Sequence, residues 1–281
     1  MKYYHVDVFS SVPMSGNGLT VVFPQKPLDG GTLLKIAQEF RQFETAFVFP
    51  QSQNGAYPVR IFTTQEELPF AGHPVLGAAA VIHRVFHPAE TAAQIRIDLS
   101  GRNLSVASLN AGDTYTETMN QGPPRFLGAI GAENYTAVAE ALGLSPDDLD
   151  ARFPAEVVST GLSYLIVPVR RHIGLARIQR SDFEDFLGGW GAKFVYLFDP
   201  GTLDCRTWDN SGMVEDVATG SAAGPLCAYL VRHGVQQEGE VILLYQGKYL
   251  DRPSVIEGWM RDGEAYIRGR VAFFASGAVH I

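Results

Sequence analysis

Short apolar runs bounded by glycine and proline alternate with amphipathic stretches along the 281 residues, the pattern of a mixed α/β protein. Gly18-Leu19-Thr20-Val21-Val22-Phe23-Pro24 reads as a buried strand stopped by proline. Gly161-Leu162-Ser163-Tyr164-Leu165-Ile166-Val167-Pro168 reads the same way. After the first, Leu33, Ile36, Ala37 and Phe40 share one face of a helix over 32–40. After the second, Ser181 caps a weaker helix to Leu187, with Phe183, Phe186 and Leu187 on one face. Strands over 45–49 and 194–198 follow, then further strands over 59–62 and 205–208.

Each half continues with an acidic, glycine-bearing loop and a small-residue helix. These helices open at Ala71-Gly72-His73-Pro74 and Thr219-Gly220-Ser221-Ala222 and run to about Arg84 and Arg232. Ala78, Ala79, Ala80, Val81 and Ile82 leave the first one apolar nearly all round, which predicts burial inside a sheet. Pro74 suits a first helical turn, whereas Pro225 moves the expected start of the second helix to Gly224. Alternating segments near 95–119 and 241–274 close the two halves.

The recurring order predicts an α+β protein of two similar domains, each with a central helix buried inside a sheet. The turn-rich Gln121-Gly122-Pro123-Pro124-Arg125 marks the boundary, giving domains over 1–120 and 121–270. A last strand over about 271–281 is expected to return to the first domain. Helix N-termini opening at the ends of the two sheets would put the active site in a cleft between them.

A net charge of −8 argues against a basic nucleic-acid surface but leaves room for a small anion held by local donors. Every apolar stretch ends well short of the roughly 18–20 residues of a membrane span. The first residues carry no apolar signal core, so a soluble cytoplasmic protein is expected. Cys205 and Cys227 are too few for a disulfide scaffold or, unaided, for a zinc site. His83 and His87 lack the intervening glutamate of a metalloprotease helix and read as a wet helix face. With no phosphate-binding glycine loop either, neither a metal nor an organic cofactor is expected.

Gly72 and Gly220 let a ligand approach the backbone, and the N–H groups beyond them carry the positive end of a helix dipole, a seat for a carboxylate. Either glycine alone would serve a tight turn equally well. Glu44, between Phe43 and Phe47 at the entry to an apolar strand, is either a solvated strand-end acid or a partly desolvated acid–base group with a raised pKa. His73 reads as a local cap, Asp216 as a loop acid facing water and Ser221 as a helix cap.

Taken together, several segments resemble the phenazine-biosynthesis PhzF-like family, whose fold is that of diaminopimelate epimerase. They are Val6-Asp7-Val8-Phe9, Ser15-Gly16-Asn17-Gly18, Phe43-Glu44-Thr45-Ala46-Phe47, Leu68-Pro69-Phe70-Ala71-Gly72-His73-Pro74, Glu215-Asp216-Val217-Ala218-Thr219-Gly220-Ser221-Ala222, and Gln246-Gly247 with Arg252-Pro253-Ser254. They stand in family order across nearly the whole chain. The resemblance implies two pseudo-symmetric domains, each a curled, mostly antiparallel sheet around a central helix. It also implies a cofactor-independent isomerase that shifts a proton on a small carboxylate-bearing metabolite. It places Glu44, His73 and Asp216 in catalysis, and Asn17, Gly72, Gly220 and Ser221 at the substrate.

Phe43, Gly18 and Val217 depart from the family's serine, proline and proline, and the first two are expected near the pocket. A homodimer is the assembly considered, with neither nucleic acid nor membrane as partner. A thiol-dependent epimerase or racemase on the same fold is an alternative, but Ala71 and Thr219 occupy the positions where its cysteines would stand. A hydrolase through Ser221, His73 and Asp216 lacks the G-x-S-x-G elbow. A non-catalytic binding protein is the third alternative.

Overall fold

The computed structural model describes all residues, Met1–Ile281, as two compact units: Met1–Asn120 with Arg268–Ile281, and Gln121–Ile267. The chain begins with β1 (Lys2–Val8), β2 (Asn17–Phe23), α1 (Gly30–Phe40), β3 (Glu44–Val48), β4 (Tyr57–Phe62) and β5 (Glu67–Leu68). It continues with α2 (Gly72–Phe86), β6 (Ala92–Leu99), β7 (Arg102–Asn110) and β8 (Thr114–Gly122). Next come β9 (Arg125–Ala129), α3 (Tyr135–Ala141), β10 (Glu156–Ser159), β11 (Ser163–Pro168) and α4 (Phe183–Gly188). Then follow β12 (Phe194–Phe198), β13 (Cys205–Arg206) and α5 (Gly220–Arg232). The chain closes with β14 (Ile242–Gln246), β15 (Ser254–Arg261) and β16 (Glu264–Ala278).

In the first unit the sheet runs β1-β2-β3-β4-β6-β7-β8. The pairs β2–β3 and β4–β6 are parallel, and residues 271–278 of β16 lie antiparallel to β1. Helix α1 starts where Asp29 accepts from the backbone N–H and hydroxyl of Thr32. Its Leu33, Ile36 and Ala37 pack with Val22, Phe47 and Phe62 on one face of the sheet.

Helix α2 takes the other face, and every residue from Gly72 to His83 is buried. A Cβ at Gly77 would collide with Leu19 Cδ2 and lie 3.0 Å from Val8 Cγ2, so the helix seats directly on β1 and β2. Gly77→Ala should therefore lower stability despite the better helix propensity. Propensity favours alanine by about 1 kcal/mol, against an overpacking loss of about 1–3 kcal/mol. Urea unfolding reads the net sign, and a higher midpoint for the variant would show that the seat is not tight.

His83 is not on a wet face. It is fully buried; Nδ1 lies 2.6 Å from Ser108 Oγ, and Nε2 lies 3.0 Å from the Glu90 carbonyl. Ser108 in turn donates to Glu117 at 2.6 Å, and burial pushes the Glu117 carboxyl well above its usual range. The curling of β7 and β8 against α2 closes over what the helix wheel presents as an edge, and only His87 stays at the rim.

In the second unit a five-stranded sheet runs β13-β12-β11-β10-β9, with β11 and β12 parallel. Strand β14 pairs antiparallel with β15. The α3 and α4 side chains Val138, Ala139, Phe183 and Leu187 join Val157, Leu165, Val195 and Leu197 in one core. Helix α5 seats on β15 so closely that a Cβ at Gly258 would overlap Cys227 Sγ.

The expected start of this helix at Gly224 is wrong: α5 begins at Gly220 and carries Pro225 inside. Ala222 and Ala223 both donate to the Thr219 carbonyl at 3.1 and 3.2 Å, so the turn before the proline is already closed. Pro225 removes only the donor that would have reached the Ser221 carbonyl.

Candidate active site

Strands β2 and β3 are parallel with Leu19 opposite Glu44, and Leu19 faces α2. Strand alternation then puts Glu44 on the α2 face and Phe47 on the α1 face. Glu44 is 5% exposed, and its burial comes from the α2 side rather than from Phe47 as the sequence suggests. At Gly18, next to Asn17, a side chain would meet Gln42 Oε1 at 2.6 Å and His5 Nε2 at 3.3 Å, on the face away from α2.

The first turn of α2 brings His73 to the start of both strands. Its Nε2 lies 3.3 Å from Glu44 Oε2, and its Nδ1 lies 3.3 Å from Asn17 Nδ2. The imidazole is a partner to these side chains, not a helix cap. Burial lowers the His73 pKa to about 3, so the ring is neutral at ordinary pH. With the Asn17 amide donating to Nδ1, the single ring proton sits on Nε2, which is close to Glu44 Oε2 but not aligned for a hydrogen bond to it. Ala71, the residue before the helix, supplies no side-chain cap, and Gly72 opens the first turn. Three of the sequence-predicted residues, Asn17, Glu44 and His73, thus form one buried cluster at this helix end.

In the second unit, Asp216 is buried rather than wet. Its backbone N–H donates to the Thr207 carbonyl at 3.0 Å, and the Thr219 hydroxyl donates to its Oδ2 at 2.5 Å. Ser221 does not cap the helix; its Oγ lies 2.7 Å from the Tyr164 hydroxyl. Gly220 opens α5, and its carbonyl accepts from Gln121 Nε2 at 2.9 Å. Cys205 and Cys227 are buried thiols pushed above the usual range, Cys227 to about 12, which removes them as thiolate bases. No three His, Cys, Asp or Glu side chains gather as a metal-binding group.

Two contributors to this region carry no mark in the sequence. Arg206 is fully buried and pairs with both Glu215 oxygens, Nε at 2.7 Å and Nη2 at 2.5 Å. Its Nη1 donates to the Ile173 and Ala176 carbonyls at 2.8 and 3.1 Å, and its guanidinium lies 4.6 and 4.7 Å from the Trp208 and Tyr249 ring centres. Nothing in Cys205-Arg206-Thr207-Trp208 marks an arginine that points inward. The second is Gln246, whose amide lies against Asp216 and Thr219. It falls in a family-like Gln-Gly pair that carries no chemistry by itself.

A family model described as phenazine biosynthesis-like protein matches residues 6–277. The chain belongs to this family. A family relative, the trans-2,3-dihydro-3-hydroxyanthranilate isomerase of Pseudomonas chlororaphis, is 33% identical over 270 residues, 90% of this chain and 88% of the relative. Isomerase activity is supported across that length. The structure of a predicted epimerase from Pseudomonas aeruginosa superposes with a TM-score of 0.93 at 41% identity, covering 99% of this chain and 98% of that one. The fold alone extends further, to a probable proline racemase from Agrobacterium radiobacter with a TM-score of 0.62 at 12% identity, covering 100% of this chain and 93% of that one.

Proposed function

We propose that the protein is a cofactor-independent isomerase that moves a proton on a small carboxylate-bearing metabolite, with Glu44 as its general acid and base. The observation that carries this reading is the buried Glu44 carboxyl 3.3 Å from the N–H of a neutral imidazole. A neutral His73 puts no positive charge beside the carboxyl, so Glu44 keeps its capacity to take a proton from carbon and return it elsewhere. Asp216 is the second catalytic group in this reading. Asn17, Gly72, Gly220 and Ser221 hold the substrate, the glycines through N–H groups at helix starts that favour a carboxylate.

The activity of the Pseudomonas chlororaphis relative makes a dihydro-hydroxyanthranilate the first compound to try. Phe43, half-buried beside Glu44, is the departure in this sequence best placed to alter which carboxylate is accepted. A thiol-dependent epimerase would need cysteines on both faces of one carbon, and Ala71 and Thr219 stand where they would be.

Incubation of the protein with trans-2,3-dihydro-3-hydroxyanthranilate and related carboxylates in D₂O, followed by NMR, tests the reading. Deuterium should enter at a carbon other than the one that lost its proton. Exchange confined to one carbon would point to epimerisation. Activity should survive exhaustive chelation; its loss, reversed by one added metal, would overturn the cofactor-independent mechanism.

A further inference from the structure

We propose that Gln246 is a positioning residue for Asp216 and acts on it through the Thr219 hydroxyl. This rests on the reading of Asp216 as a site residue. The Gln246 amide is buried at the end of β14 and uses both its ends. Its oxygen accepts from the Thr219 backbone N–H at 3.1 Å and from the Tyr196 hydroxyl at 3.0 Å. Its nitrogen donates to the Asp216 carbonyl at 2.8 Å and to Thr219 Oγ1 at 3.0 Å. A backbone N–H on one side and a backbone carbonyl on the other leave only one orientation of the amide.

That orientation decides where the Thr219 proton goes. Because Thr219 Oγ1 accepts a hydrogen bond from Gln246 Nε2, its own O–H is left to donate to Asp216 Oδ2, 2.5 Å away. The hydroxyl is thereby locked as a donor, and Asp216 is held as an acceptor with a fixed direction. The groups around the amide keep it so. Tyr196, from β12, has its hydroxyl pushed well above the usual range by burial, so it stays a donor. Cys205, beside Tyr196, is likewise held as a thiol by burial. The neighbouring Glu215 carboxylate is already paired with Arg206.

The residue after Gln246 completes the bracket. Gly247 has φ of +81°, and a Cβ there would strike the Arg252 carbonyl and lie 2.8 Å from the Val217 carbonyl. Only glycine lets β14 end this close to the backbone that follows Asp216. The Gln-Gly pair is thus one device: the glycine permits the approach and the glutamine makes the bonds.

The test is the titration of Asp216 itself, followed by NMR of the ¹³C-labelled aspartate carboxyls and assigned by comparison with Asp216→Asn. Thr219→Val removes the donor and should move the Asp216 midpoint upward by roughly one unit. Gln246→Met frees the hydroxyl and should move it in the same direction. The double variant should add nothing to Thr219→Val, since both act on one hydrogen bond. An unchanged midpoint in a folded Gln246→Met, or shifts that simply add, would overturn the proposal. If Gln246→Met does not fold, Gln246→Asn, one methylene too short to reach Thr219 Oγ1 from the same backbone, takes its place: an unchanged midpoint overturns the proposal and a raised one upholds it. Turnover does not enter, so failure of the isomerase reading would appear in the D₂O experiment and leave these midpoints as they are.

Discussion

Replacing Glu44 with glutamine is expected to lower turnover by about 10²-fold or more, the usual scale for one general acid–base group. The substitution is nearly isosteric, and the neutral His73 ring, with Nε2 3.3 Å from Glu44 Oε2, tolerates an amide there as it does a carboxylate. Position and packing should therefore survive, while the capacity to accept and return a proton is lost. Because the imidazole is neutral, glutamine leaves no unbalanced positive charge behind. The measurement pairs solvent-deuterium incorporation into product with calorimetric affinity for the same carboxylate. Affinity should stay within a few-fold of wild type while incorporation collapses. Incorporation at the wild-type rate would remove Glu44 from the chemistry and make Asp216 the next candidate.

Much of the scaffold beneath that residue is legible in the sequence because it depends on local periodicity. The shared face of Leu33, Ile36 and Ala37 is the face that α1 buries. The all-round apolar run from Ala78 to Ile82 is buried as expected, because no side of α2 there is polar enough to meet water. What could not be read depends on long-range pairing. His83 looks like a helix-edge histidine until β7 and β8 bring Ser108 and Glu117 over it. Asp216 looks like a loop acid until Thr207, Thr219 and Gln246, all on other segments or turns, close around it. Phe47 appears to shield Glu44 only when neighbours in sequence are taken as neighbours in space, and the two-residue period of a strand sends them to opposite faces. The composition of the Asn17, Glu44 and His73 cluster came from family-like segments. Its geometry came from the parallel pairing of β2 with β3, which no local pattern encodes.

Replacing Arg206 with methionine is expected to destabilise the second unit by about 3–5 kcal/mol, the range for breaking a buried ion pair from one side. The guanidinium is fully buried and holds both Glu215 oxygens, so its removal leaves a nearly enclosed carboxylate without a counter-charge. The flanking Trp208 and Tyr249 rings also lose the cation between them, a further loss of about 0.5–2 kcal/mol in the sense of a cation–π contact. Methionine fills part of the volume but none of the hydrogen bonds. Removing the second charge as well should recover part of the loss, because a buried pair replaced by apolar side chains is often close to neutral. Arg206→Met with Glu215→Leu should therefore be more stable than Arg206→Met alone, although two substitutions would ordinarily cost more than one. Urea unfolding of the three proteins decides it. A single-variant loss below about 1 kcal/mol would mean that the pair is effectively solvated. A double variant no better than the single would mean that Glu215 is not left stranded when Arg206 goes. Under the expected outcome, the arginine is the anchor that keeps Glu215, and the Asp216 that follows it, fixed to the sheet edge at Thr207.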